Sequence, residues 1–101
     1  MAERSRFQIS LSPQGATALR ILKDSEIPLC GFDVVSASDG TIVKGSVWVI
    51  LQKLESQMLV VSEKEADENA VIPKRLYRVT EHGISLLEIY ERLEKLVAAA
   101  K

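Results

Sequence analysis

Three apolar patterns follow one another between residues 45 and 83, and they decide the fold. Residues 45–55 read GSVWVILQKLE, residues 59–63 read LVVSE, and residues 75–83 read RLYRVTEHG. The first pattern predicts a helix because its apolar residues recur at i, i+3, i+4, i+7 and i+11. These residues are Val47, Ile50, Leu51, Leu54 and Met58. The next two patterns are short strands joined by a polar turn, and a helix follows them. Helix, strand, strand and helix is the order of a winged helix-turn-helix.

Two more helices are predicted upstream. Ser12 is a good N-cap with Pro13 at the first helical position, and apolar spacing continues to Lys23. A second helix is predicted from Leu29 to about Ser38, although its adjacent β-branched valines leave a strand open. Thr41 is a plausible N-cap for the third helix, with Lys44 as an alternative first residue inside it. Alternating apolar residues predict a short N-terminal strand, namely Phe7, Ile9 and Leu11.

The last helix is predicted to begin after Thr80, a good capping residue, and to carry a broad apolar face. That face comprises Leu86, Leu87, Ile89, Tyr90, Leu93, Leu96 and Val97. It is wider than one small domain needs. The predicted fold class is therefore α+β and mostly helical, a winged helix-turn-helix with a three-helix core and a two-stranded β-wing. Residues 1–80 would form the winged-helix domain, and residues 81–101 a C-terminal helix for packing and dimerisation.

Composition excludes several classes of function. The chain has one cysteine and one histidine, Cys30 and His82, so intramolecular disulfides and multi-ligand Cys/His zinc sites are excluded. No pair of carboxylates suggests general acid and base roles, and we expect no enzyme, catalytic residue, metal or cofactor. No apolar run can span a bilayer and no secretory signal is evident, so a cytoplasmic protein without membrane contact is expected. The net charge of −1 argues against a generic polyanion partner.

The residues resemble the PadR-type winged-helix transcriptional regulators. That family's recognition helix carries Gly-Ser/Thr-Val-Tyr-x-x-Leu-x-x-Leu, which residues 45–54 follow with Trp48 in place of Tyr. Its wing returns through Arg/Lys-x-Tyr-x-Leu-Thr-x-x-Gly, and residues 75–83 match with Val79 in place of Leu. The resemblance covers about residues 12–97. It implies a dimeric regulator of transcription, most readily a repressor, that binds double-stranded DNA.

The chain also departs from the family pattern. Met58 stands where the family commonly has the glycine that ends the recognition helix, so another helix ending is expected. Residues 30–32 read Cys-Gly-Phe where the family has His-Gly-Tyr. The wing tip carries four acidic residues and one lysine, a charge of −3, which would repel phosphates. The members are Glu63, Lys64, Glu65, Asp67 and Glu68.

The expected DNA contacts lie on the polar side of the third helix and on the return strand of the wing. The candidates are Thr41, Lys44, Ser46, Trp48, Gln52, Lys53, Lys74, Arg75 and Arg78. Gln52 could pair with adenine, and the lysines could contact guanine or phosphate. Because strand residues alternate sides, the three wing cations cannot all face DNA together. Trp48 is expected to pack under the wing more readily than to contact a base. For all of the candidate residues, the alternative is an ordinary solvated surface that contacts no DNA.

The expected homodimer surface lies on the last helix. Its candidate residues are Leu86, Leu87, Tyr90, Leu93, Leu96 and Val97, unless that face serves only the monomer core. Related regulators sense small molecules, but no residue of this chain indicates an effector site. The competing function is a protein interaction module that kept the fold while its wing became acidic.

Overall fold

The computed structural model describes residues 11–65 and 74–99, which form four helices and one antiparallel hairpin. The elements are α1 (Pro13–Asp24), α2 (Gly31–Ala37), α3 (Lys44–Ser56), β1 (Val60–Lys64), β2 (Arg75–Val79) and α4 (Glu81–Ala99). The predicted winged helix-turn-helix is confirmed. The predicted N-terminal strand lies outside the described residues except for Leu11, which is buried against the core.

The helix α1 begins as its sequence predicts. The Ser12 hydroxyl accepts a hydrogen bond from the Gly15 amide at 3.0 Å, and Pro13 occupies the first turn, where a missing N–H costs nothing. Ala16, Leu19 and Leu22 are buried along one side. The buried side of α1 packs against α3 and supplies much of the core. The helix ends before Pro28.

The helix α2 is confirmed, but it is shorter than predicted. Leu29 does not belong to it, because its amide and carbonyl bond to the carbonyl and amide of Tyr77 at 3.0 and 2.7 Å. This isolated β-bridge joins Leu29 to the β2 edge of the two-stranded hairpin. Leu29, Phe32 and Val35, although at helical spacing in the sequence, therefore do not form the buried side of α2. Val34 is fully buried instead, while Phe32 is 49% exposed.

Ser38 shapes the turn between α2 and α3. Its hydroxyl donates to the carbonyl of Val35 at 2.8 Å and accepts from the amide of Ile42 at 3.0 Å. Asp39 and Gly40 carry the chain through positive φ values of 52° and 88°. Thr41 lies in this turn. The expectation that it caps α3 is wrong, because the N-cap is Val43 and Lys44 is the first helical residue.

The end of α3 corrects a second expectation. Met58 adopts φ 63°, so the left-handed cap is kept although the glycine is missing. The amide of Met58 donates to the carbonyl of Glu55 at 3.0 Å, and the amide of Leu59 donates to the carbonyl of Leu54 at 2.9 Å. These two bonds are the Schellman pattern. Met58 is consequently 74% exposed and is not part of the apolar stripe, whereas Leu59 turns into the core.

The strands β1 and β2 pair antiparallel, with Val60 opposite Val79 and Lys64 opposite Arg75. Residues 66–73 fall outside the description, so the acidic tip is described only at Glu63, Lys64 and Glu65. The hairpin leads directly into α4. Thr80 caps that helix as predicted, since its hydroxyl accepts from the amide of Gly83 at 2.9 Å.

One continuous core joins α1, α2, α3, the hairpin and the first half of α4. Its fully buried members include Ala18, Leu19, Val34, Val47, Leu51 and Leu87. Arg20 of α1 also meets Glu91 of α4 through a 2.9 Å contact between Nε and Oε2. Both side chains are more than a third exposed, so this pair adds little to stability. Burial of the apolar side of α3 fixes its orientation on the domain.

Candidate nucleic-acid interface

The helix α3 is anchored on one side and open on the other. Val47 and Leu51 have no exposed surface, and Leu54 has 3%. At 100° per residue the opposite side of the helix is a single line, which we call the outer line. It consists of Gly45, Val49, Gln52 and Ser56, all of which are exposed. No described part of the chain covers this line, so it is available to a ligand as large as a duplex.

An aromatic cluster borders the outer line on the side of α2. The rings of Phe32 and Trp48 are perpendicular with their centroids 5.5 Å apart, and the Lys44 ammonium lies 5.2 Å from the Phe32 centroid. The Trp48 ring also covers Gly31 so closely that a Cβ there would lie 2.7 Å from Cε3 of the indole. The expectation that Trp48 packs under the wing is wrong. It packs against α2 and remains 43% exposed.

Lys53 and Ser46 border the outer line on the other side. Lys53 is exposed and lies beside a shallow groove whose apolar walls include Leu11 and Ile50. Ser46 is half-buried, so only part of it can reach a ligand. Between residues 44 and 54 the only charged side chains are Lys44 and Lys53. Together with Glu55, which accepts a hydrogen bond from the Ser62 hydroxyl, these lysines give α3 a net charge of +1, although the whole chain carries −1.

The cations of the return strand divide between two faces, as strand alternation requires. Arg75 Nε donates to the Ser62 hydroxyl at 3.1 Å, which in turn donates to the Glu55 carboxylate of α3 at 2.6 Å. Arg78 lies on the opposite face, where its guanidinium is 4.0 Å from Glu63. Both members of that second pair are more than 60% exposed, so solvent screens their attraction. Lys74 is exposed immediately before the strand.

The Arg75 network links the wing to α3 through Ser62. Tyr77, two residues further along β2, is buried in the core, and its pKa is raised, first by burial and then by the Glu55 carboxylate, with Arg75 opposing the change. Part of the charge of Arg75 is balanced within the chain by Glu55. Thr41, the remaining candidate, is exposed, and its carbonyl accepts from the Gln14 amide at 3.3 Å.

The helix α4 carries an uncovered apolar surface in its second half, which we call the α4 ridge. Its members are Ile89, Leu93, Leu96 and Val97, between 46 and 61% exposed. Leu86 and Tyr90 are half-buried at the edge of the core. Leu87 has no exposed surface, so it belongs to the monomer core and we remove it from the expected dimer surface. The sequence pattern could not separate the two roles, since both produce apolar residues at helical spacing.

Val49 was not among the residues predicted to contact DNA. It is 67% exposed at the centre of the outer line, yet only polar, charged and aromatic residues had been considered for ligand contact. A helical projection of residues 45–56 places it opposite Val47 and would have found it. Gly45 was overlooked for the same reason, and no atom would lie within 4 Å of a Cβ added there.

None of the helices in residues 11–65 and 74–99 is both long and apolar enough to cross a membrane. Nor does that part of the chain bring together three His, Cys, Asp or Glu residues that could hold a metal ion.

Comparison with solved structures identifies the fold. A PadR family transcription regulator from Clostridium difficile R20291 superposes with a TM-score of 0.75 and 16% identity, over 88% of this chain and 94% of that one. Bacillus subtilis PadR in complex with operator DNA gives 0.68 and 17%, over 77% of this chain and 46% of that one. MepR, a transcription regulator of the Staphylococcus aureus multidrug efflux pump MepA, gives 0.67 and 19%, over 99% and 73%.

No protein-family model and no curated protein matches the sequence. The solved structures confirm the fold that the two sequence motifs predict. The chain has the winged-helix fold of the PadR-like regulators, and these neighbours are regulators of transcription rather than enzymes.

Proposed function

We propose that this protein is a dimeric transcriptional regulator that binds double-stranded DNA in a sequence-specific manner through α3. One observation carries the proposal: α3 buries Val47, Leu51 and Leu54 while its outer line is uncovered between two lysines. A DNA-reading helix needs this division, because one side must be held rigidly while the other enters the major groove. The Bacillus subtilis neighbour, solved with operator DNA, has the same fold.

Within this proposal the candidate residues take different roles. Gln52 lies on the outer line, where its amide can pair with adenine, while Lys44 and Lys53 at the borders can reach phosphates. Thr41 and Ser46 would contact the backbone beside the first turn of α3. Trp48 would present its exposed edge at the border of the groove. In the wing, either Arg75 or the pair Lys74 and Arg78 would approach DNA, because they lie on opposite faces.

Dimerisation is proposed through the α4 ridge together with Leu86 and Tyr90. From residue 92 to residue 99 every α4 residue is exposed, so this end of the helix has no cover within the described chain. Burying the four ridge side chains against a second copy would remove a contiguous apolar patch from water. A two-fold dimer would then present two α3 helices to half-sites about one turn of DNA apart. We propose residues 1–80 and 81–101 as the corresponding functional units.

Repression is the proposed outcome, since a dimer bound across a promoter excludes polymerase without further contacts. We propose a cytoplasmic location for this activity, and no enzymatic step, cofactor or metal. The proposal requires no small-molecule effector.

The test begins with selection of binding sequences from a random duplex pool and from DNA upstream of the protein's own gene. Fluorescence anisotropy then gives the affinity at several salt concentrations. We expect the Lys53→Ala and Lys44→Ala variants to bind more weakly and to reduce the slope of log K against log salt by about 0.9 for each lost phosphate contact. Lys95→Ala is the matched control, since it removes an exposed lysine from α4.

Equal effects of Lys53→Ala and Lys95→Ala would contradict the assignment of α3, because only net charge would then matter. The competing function, a protein interaction module, is favoured by the net charge of −1, by the acidic wing tip and by the exposed Trp48 beside the outer line. It would be selected if no duplex binds even at low salt, where phosphate contacts are strongest.

A further inference from the structure

We propose that Val49 is a specificity-determining residue that contacts the C5-methyl group of a thymine in the operator. This inference rests on the proposed function and deepens it, because it names a base that α3 reads. It starts from one observation, the 67% exposure of an apolar, β-branched side chain at the centre of the outer line.

Among the described residues, Val49 contributes little to the packing of the domain, since it only borders the shallow groove that Leu11 and Ile50 also line. Its exposure is far above that of the buried α3 residues, and the neighbouring Val47 has none. A β-branched residue is also slightly unfavourable in a helix, so local structure does not explain its presence. The side chain is therefore free to serve a ligand.

The position of Val49 places it deep in a groove. Gly45 lies one helical turn before it and leaves open space where a side chain would stand, so the first turn of α3 can approach a duplex closely. Gln52 lies three residues after Val49 on the same side, about 5–6 Å away between Cβ atoms. With one base pair per 3.4 Å along a duplex, the two side chains would reach bases one or two steps apart.

The chemistry of Val49 then selects its partner. Valine has no hydrogen-bond donor or acceptor, so it cannot read the polar edge of a base. The thymine methyl is the apolar group that base pairs present in the major groove. Gln52 can pair with adenine. The two residues together therefore predict an operator half-site in which a thymine lies one or two steps from an adenine.

The experiment removes the methyl group alone. In the selected duplex each thymine of the half-site is replaced in turn by deoxyuridine, and binding of wild type and Val49→Ala is measured by anisotropy. One methyl removed from contact corresponds to about 0.8 kcal/mol, a factor of about four in affinity for each half-site. We expect one thymine to show this loss with wild type and less than a twofold loss with Val49→Ala.

Gln52→Ala is the second variant. It should keep the loss at the same thymine and lose discrimination at a neighbouring adenine. Because Val49 is mostly exposed, Val49→Ala should fold with an unchanged melting temperature, which circular dichroism checks.

Equal losses in wild type and Val49→Ala, or a half-site in which no methyl matters, would overturn the inference while DNA binding stands. A uniform weakening of Val49→Ala on every duplex would overturn it too, since the side chain would then act without reading sequence. Absence of any bound duplex would overturn the proposed function and this inference together.

Discussion

Replacement of Gly83 by alanine should destabilise the domain, although alanine is the better helix former. Gly83 lies in the first turn of α4, directly against the end of α3 and the start of β1. A Cβ there would overlap the Leu59 carbonyl oxygen and lie 2.9 Å from Cγ2 of Val79 and 3.1 Å from the Leu59 carbonyl carbon. The oxygen belongs to the backbone, so a rotamer change cannot relieve the clash.

The cost follows from what must move. If α4 shifts away, the Thr80 amide loses its 3.0 Å bond to the Leu59 carbonyl, and the Thr80 hydroxyl loses its 2.8 Å bond to the Met58 carbonyl. Overpacking of this kind costs about 1–3 kcal/mol, and disruption of a cap about 1 kcal/mol. The higher helix propensity of alanine offsets up to about 1 kcal/mol. We expect a net loss of about 1–3 kcal/mol.

Gly45→Ala is the matched control. Gly45 is also in the first turn of a helix, but its added Cβ would meet open space. The same substitution should therefore leave stability unchanged or raise it by up to about 1 kcal/mol. Urea unfolding at one fixed protein concentration measures both variants, since dimerisation would make stability depend on concentration. If Gly83→Ala proves as stable as Gly45→Ala, the packing of α4 against Leu59 is not as described.

Three further outcomes are expected. Met58→Gly should stabilise the domain by about 0.5–1 kcal/mol in urea unfolding. Glycine releases about 1–2 kcal/mol of strain at the left-handed position, which exceeds the cost of its greater backbone entropy in the unfolded chain. A loss of stability would contradict the Schellman ending of α3. The pKa of Tyr77 is raised in the folded state, so the tyrosine of the unfolded chain ionises first as the pH rises. The contribution of Tyr77 to the free energy of unfolding is therefore full below pH 10 and is lost above that value. Tyr77→Phe should make the urea midpoint fall less steeply between pH 9 and pH 11 than in wild type, and identical slopes would refute this. Leu93→Lys should weaken the homodimer at least tenfold in sedimentation equilibrium, whereas Glu88→Lys, at an exposed position on the polar side of α4, should not. Equal behaviour of the two variants would exclude the α4 ridge as the dimer surface.

Helices and strands were predictable here because each is set by local chemistry. Ser12 and Thr80 cap their helices with short polar side chains, and apolar residues recur at helical spacing in α3. The errors came where tertiary contacts overrode that pattern. Leu29 joined the hairpin through two backbone bonds to Tyr77, and Met58 accepted a strained conformation because Leu59 had to turn into the core.

The candidate site was predictable in its location more than in its details. The lysines at the borders of α3 and Gln52 were recognised as polar residues opposite an apolar stripe. The position of Trp48 was predicted wrongly, because its ring contacts Gly31 in a different helix. A contact between two helices produces no recognisable spacing in the sequence. Arg75 was predicted as a candidate DNA contact, whereas its Nε donates to the Ser62 hydroxyl, which donates in turn to Glu55 of α3. Such long-range pairs depend on how elements pack, which a single sequence does not encode locally.

Amide chemical shifts of the ¹⁵N-labelled protein, followed during titration with the selected duplex, test the central claim most directly. If α3 lies in the major groove, the largest changes should occur at Gly45, Val49 and Gln52, with smaller ones on β2. Changes confined to α4, or to the acidic end of β1, would show that this side of α3 does not touch DNA.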